Sequence, residues 1–251
     1  MVSTPTTESG SFDADRTALR PVPEVVDWVI GALLVLVGLA SALAGSAMFF
    51  AIDRSEIRQA VADEEIQSDV LSNAELVDVT QALATWTAVG LIAIGAILFV
   101  LGFAYVVVRR RTHSRAAAGE QVSNFGANAL LGALLAIVLS FVPFSQALGG
   151  VVAGYLEAGS SERVVGVGAF SGFLSVAPVL ALLAFVLVGL VVGLLDVGAG
   201  ALALVVAAAL LLSLAILVTI GAGLGAIGGY VGGRLADRER DDAPTETEPR
   251  A

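Results

Sequence analysis

The chain has 251 residues, of which 57% are hydrophobic, with a mean hydropathy of +0.90; its apolar runs exclude a soluble domain, because about 20 apolar residues in a helix cross about 30 Å of hydrocarbon. All 13 basic residues are arginine, against 23 Asp and Glu, for a net charge of −10, a balance that excludes nucleic acid as a partner because phosphate contacts need clustered cations. Cysteine is absent and histidine occurs once, which removes disulfides and thiol catalysis and leaves too few ligands for zinc sites or histidine triads.

Residues 1–22, "MVSTPTTESGSFDADRTALRPV", are rich in Ser, Thr, Pro and acids and have the composition of a disordered tail. A two-span module over 23–115 follows. Its first span runs from about Asp27 to Ile52, with Trp28 at the headgroup level where an amphipathic indole is favoured. The small residues at Ala42–Ala44 resemble a signal-peptidase site, but the acidic leader and the length of the run argue for an uncleaved span. The polar segment 53–84 carries eight acids between Asp53 and Asp78, and only Arg54 and Arg58 in return. Ile57 and Val61, four apart, predict a short amphipathic helix there. "SNAE", Ser72–Glu75, has the spacing of a capping box and predicts a helix from near Asn73 that continues through the second span, about Thr85 to Val108.

The second span ends in "RRRTHSR". Arg109, Arg110, Arg111 and Arg115 form the densest positive cluster, which the positive-inside rule places in the cytoplasm at the lipid headgroups. The N-terminus is then cytoplasmic and loop 53–84 extracellular. His113, among these arginines, reads as a solvated loop residue.

After a linker over 116–123, a glycine-rich membrane domain of two hairpins is expected over 124–236. Pro143 interrupts the first apolar run, since proline removes a backbone donor and clashes with the preceding turn. Residues 126–157 are a hairpin, a re-entrant pair or one kinked helix. Charge favours reversal at Pro143, which returns Arg163, and after two further spans Arg234, Arg238 and Arg240, to the cytoplasm. The runs Val164–Leu195 and Ala199–Leu235 flank "DVGAG", so Asp196 reads as a turn residue. Residues 237–251 form a second disordered charged tail. The fold class is therefore all-α and integral to the membrane, with five or six membrane segments, antiparallel hairpins and both termini cytoplasmic.

Small residues are spaced regularly. Gly31, Gly38 and Gly45 in the first span, and Ala88, Gly95 and Gly102 in the second, recur every seven residues, a period that keeps one seam on a partner helix. The two spans are expected to pair antiparallel along these seams. Gly221, Gly225, Gly229 and Gly233 recur every four, the GxxxG spacing of very close crossings. "GGVVAGYLE" from Gly149 and "GGYVGGRLA" from Gly228 align without a gap, which suggests a duplicated hairpin and a contact of Gly150 and Gly154 with the last span. Gly223, Gly225 and Gly228 also match GxGxxG, but without a preceding strand the dinucleotide reading is rejected. Asn124, Asn128, Ser140, Ser171, Ser175 and Thr219 are candidates for hydrogen bonds between helices or, in a sharper reading, for a polar conduit.

"NALLGALLAIVLSFVPFSQALGGVVAGYLE", "GVGAFSGFLSVAP" and "GAGLGAIGGYVGGRL" resemble a haloarchaeal membrane domain of unknown function over about 124–236. The preceding "DRSEIRQAVADEEIQSDVLSNAEL" with its flanking spans is similar to a two-span haloarchaeal membrane module. The loss of lysine beside an acid excess fits salt-in halophiles, and a GC-rich genome also favours arginine and alanine. Neither resemblance implies an activity, a cofactor or catalytic residues. The expectation is a non-enzymatic structural or interaction protein, in contact with the lipid bilayer and with a further copy or another membrane protein. A small oligomeric channel or permease is the alternative.

Overall fold

A computed structural model describes residues 24–120, 123–158 and 160–241. The expected tail 1–22 and the residues past 241 lie outside the described residues. Those described form seven helices and no strand: α1 (Glu24–Ala51), α2 (Arg54–Ala62), α3 (Asn73–Ala117), α4 (Phe125–Val138), α5 (Ser145–Glu157), α6 (Ser161–Asp196) and α7 (Gly200–Asp241). Four of them, α1, α3, α6 and α7, are long and apolar enough to cross a membrane. At 14 and 13 residues, α4 and α5 reach only about 20 Å each, so the expected five or six segments resolve into four long helices and a short pair.

Local chemistry sets the helix starts. The Asp53 carboxylate accepts from the Ser55 backbone N–H, 2.7 Å, and caps α2. At α3 the capping box is complete: the Ser72 hydroxyl accepts from Glu75 N–H, and Glu75 Oε2 accepts from Ser72 N–H at 2.8 Å. Ile57 and Val61 place α2 against Leu76 and Val77 at the start of α3. Two expected boundaries move. Helix α3 continues through Ala117, and α7 runs past 236 to Asp241, so residues 237–241 are helical rather than tail. Arg238 and Arg240 in the last turn of α7 complement the negative end of its dipole.

The packing order follows from what faces each glycine. Helices α1 and α3 are antiparallel, with Gly31 by Gly102, Gly38 by Gly95 and Gly45 by Ala88. Helix α3 also runs antiparallel to α6: Gly90 meets Phe185, Gly189 meets Trp86, and Gly193 meets Val79. Between α4 and α5 the chain reverses, so that Gly132 and Gly149 face each other. The reversal runs through Pro143 and through Phe144, whose φ of +64° is left-handed. Helix α6 is antiparallel to α7, and α5 is parallel to it. Arg109, Glu157, Arg163 and Arg240 consequently share one end of the bundle, and Asp78 and Asp196 the other.

Candidate functional site: two buried carboxylates at one end of the bundle

Asp27, in the first turn of α1, is 3% exposed, and α3 supplies its partners from one stripe. Tyr105, Arg109 and His113 are four residues apart and therefore stack on a single helix face. Tyr105 Oη donates to Asp27 Oδ1 at 2.6 Å, and Arg109 Nε donates to Oδ2 at 2.9 Å. His113 Nε2 is 2.8 Å from the same Oδ2. Arg109, 5% exposed, also donates from Nη1 to Asn124 Oδ1 at 3.1 Å, while its Nη2 is buried without a protein partner. Beside it is a cavity of about 10 Å³, lined by Glu24, Trp28, Val106 and Arg110, about the volume one water needs.

The second centre is Glu157, the last residue of α5 and 1% exposed. Asn128 of α4 donates from Nδ2 to Glu157 Oε2 at 2.8 Å, and Arg163, from the first turn of α6, donates from Nε to Oε1. Arg163 Nη2 also donates to Ser123 Oγ at 3.2 Å. The two centres are tied together by one short stretch: Ser123 bonds Arg163, Asn124 bonds Arg109, and Asn128 bonds Glu157. At the same end, Arg240 Nη2 donates to the Ala158 carbonyl at 3.2 Å, which fastens α7 to the end of α5. Each carboxylate faces an arginine and further donors. The arrangement holds charge and position at one end of the bundle.

The arginines of the basic cluster divide. Arg110, Arg111 and Arg115 are exposed, Arg110 standing over the Trp28 ring at 4.8 Å, whereas Arg109 turns inward onto Asp27. His113 is not a solvated loop residue; it lies in α3, half-buried against Asp27. Asp196 is exposed at the end of α6, where the chain turns through Gly198 at φ +78°. Of the small polar candidates, Asn124 and Asn128 bond other elements. Ser175 and Thr219 instead return their hydroxyls to carbonyls of their own helix, Gly172 O and Ala215 O. Ser171 is fully buried with its Oγ unpaired.

Most of the glycine positions lie at backbone contacts, while Gly31 and Gly233 face the side chains of Val106 and Val164. A Cβ on Gly38 would be 2.7 Å from Gly95 O, and one on Gly95 would be 2.5 Å from Gly38 O. A Cβ on Gly150 would overlap Gly225 O, and one on Gly154 would overlap Gly229 O. On the α6 side, a Cβ on Gly225 would be 2.9 Å from Gly172 Cα, one on Gly221 3.2 Å from Gly172 O, and one on Gly233 2.7 Å from Val164 Cγ2. Gly228 and Gly232, which the four-residue pattern omitted, face Ala147 and Val151 of α5. "GGVVAGYLE" and "GGYVGGRLA" thus lie side by side in parallel.

Sequence reasoning missed Asp27 and Glu157. The seam itself held a signal for the first: Gly31 opposite Gly102, continued by one turn, puts Asp27 beside Val106, between Tyr105 and Arg109.

Residues 126–235, which contain all but the first residue of α4, all of α5 and α6, and most of α7, match DUF5518, a family of unknown function. The chain matches no curated protein and no solved structure.

Proposed function

We propose that the chain is a non-enzymatic multi-pass membrane protein with a structural or interaction role, its arginine end in the cytoplasm and its acidic 53–84 segment outside. One observation carries this reading: both buried carboxylates are consumed by arginine and neutral donors within the bundle. Breaking such a pair strands a charge in a low-dielectric interior, so the network favours one arrangement of its helices over others. The backbone contacts along α7 support the same reading, because they fill the space between α5, α6 and α7 with main chain rather than solvent. The acid-rich surface, with eight carboxylates between Asp53 and Asp78, suits hydration at high salt and recognition of a basic partner.

The test is crosslinking in native membranes alongside flux measurements in proteoliposomes. The reading expects a reproducible protein partner or self-association, and solute flux equal to that of protein-free vesicles. Solute-selective flux through the wild-type chain would overturn it.

A small oligomeric channel or permease is the second reading. It is favoured by one feature: α4 and α5 turn back with apolar Phe141 and Phe144 exposed at the tip. Since the packing glycines face neighbouring backbones, a pore of that kind would run between copies rather than along the glycine stripes.

A further inference from the structure

The described residues fill the two halves of a bilayer unequally. From Trp86 to Arg109, α3 rises about 35 Å, and Trp28 stands under Arg110 at the arginine end. Two tryptophans therefore bracket a stretch close to the thickness of the hydrocarbon. Helix register locates the α4–α5 turn within it. Gly150 lies against Gly225 of α7, and Gly225 against Gly168 and Gly172 of α6. The first residues of α5 are then near Ser175 in α6. Continuing the α6–α3 register from Phe185 opposite Gly90 brings that level to about Val100 of α3, about 14 Å from Arg109 and about 21 Å from Trp86. The turn thus lies near the middle of the membrane.

Its surface suits that depth. Phe141 is 80% exposed and Phe144 68%, with exposed Val138 and Pro143 beside them. Beyond the turn, toward the Trp86 end, the flank of α6 and α7 is an open apolar groove of about 350 Å³, lined by Leu183, Leu210, Leu214, Leu217 and Ile220. Its one hydroxyl, Ser213, donates to Ala209 O at 2.9 Å, so the groove offers no free polar group and suits acyl chains. Among the described residues, six helices occupy the arginine half of the bundle and four the opposite half. At a helix diameter of about 10–12 Å, the extra pair adds roughly 200 Å² to one leaflet alone.

We propose that the chain is a curvature-selective wedge. Its partner is a bilayer bent convex toward the arginine end, where the α4–α5 pair relieves the packing defects of the expanded leaflet. Acyl chains of the compressed leaflet fill the groove beyond the hairpin tip. Insertion of apolar helical surface into one leaflet is sensitive to curvature for the same reason. The inference rests on membrane insertion and is independent of whether the chain also conducts a solute.

The test reconstitutes the full chain into a mixture of small sonicated and large extruded vesicles, which are then separated by size. Single cysteines at Ser114→Cys and Gln67→Cys in this cysteine-free chain report orientation. The expected result is at least about a twofold higher protein-to-lipid ratio in the small vesicles, with the Ser114→Cys thiol labelled from outside. A second variant lengthens α4 and α5 by about two apolar turns each so that the hairpin spans; it should lose the preference while remaining inserted. Equal partition of the wild-type chain, outward labelling of Gln67→Cys, or a preference retained by the lengthened variant would each overturn the proposal.

Discussion

The α1–α3 pair and the α4–α7 domain both bring backbones together with small residues, but at different intervals. In α1–α3 the close points come once every two turns, at Gly31 and Gly102, Gly38 and Gly95, and Gly45 and Ala88. Between them larger side chains reach the partner, such as Val35 against Gly102 and Val106 against Gly31. In α7 the small positions recur every turn and occupy two stripes. Gly221, Gly225, Gly229 and Gly233 face α6, while Gly228 and Gly232 face α5. A seven-residue seam has one face and builds a pair; adding an offset stripe to a four-residue repeat builds a junction of three helices. With no hydrophobic drive between helices inside lipid, such close packing and a few polar contacts are what hold the two regions.

The largest effect separates the regions most sharply. Gly225 lies where three backbones meet, with Gly150 and Gly168 both against it. Gly225→Leu has no flexible neighbour to displace, and the expected outcome is loss of monodisperse protein on size exclusion in detergent. The same substitution at Gly31, which meets the side chain of Val106, should leave a folded, destabilised protein. Equal behaviour of the two variants would erase the distinction between pair and junction.

Next in size is the charge that closes the α1–α3 pair. Asp27→Ala leaves Arg109 buried with only the neutral Asn124 Oδ1 to accept from it, and removing one partner of a buried ion pair costs about 3–5 kcal/mol. The double variant Asp27→Ala/Arg109→Leu should recover a large part of that loss in a thermal or denaturant melt. If the single and double variants melt together, the pair contributes no more than its surroundings do.

A smaller contrast lies in the glycines themselves. A methyl at Gly95 would be 2.5 Å from Gly38 O and 2.8 Å from Ala42 Cα, whereas one at Gly223 meets nothing within 4 Å. Gly95→Ala is expected to destabilise by about 1–3 kcal/mol, as overpacking does. Gly223→Ala is expected to be neutral or stabilising by up to about 1 kcal/mol, the helix propensity it gains. The unfolding midpoints of the two variants should therefore fall on opposite sides of the wild type, or the second on it.

The all-helical architecture with long apolar helices could be read in advance, because apolar runs of that length leave few other roles. The seam positions of α1 and α3 lie opposite one another, and Gly154 lies against Gly229. The buried charges were harder to see, since their partners are distant in sequence: Asp27 and Arg109 are 82 residues apart, and Asn128 and Glu157 are 29. Adjacent arginines also point to different sides of a helix. A run such as Arg109–Arg111 hides one inward residue among outward ones, and His113 follows Arg109 inward by one turn. The depth of the α4–α5 turn required registers across three helix pairs, of which Pro143 alone gave no measure.

The smallest effect lies outside Trp86, where polar capping chemistry replaces glycine packing. The Ser72 hydroxyl and backbone N–H hold the Glu75 carboxyl below its ordinary range, and those of Ser55 do the same for Asp53. A carboxyl whose pKa is depressed by folding contributes stability above its unfolded pKa and loses it as pH falls through the folded value. Both caps should therefore be intact from neutral pH down to about pH 5 and fray below about pH 4. Hydrogen exchange of amides 73–76 measures this directly: protection should drop in acid while amides near Gly95 stay protected. Ser72→Ala should produce the same local loss at neutral pH and flatten its pH dependence. If the amides at Gly95 open together with those of the cap, the two ends of α3 share one cooperative unit, and the division between a capped outer turn and a glycine-packed span disappears.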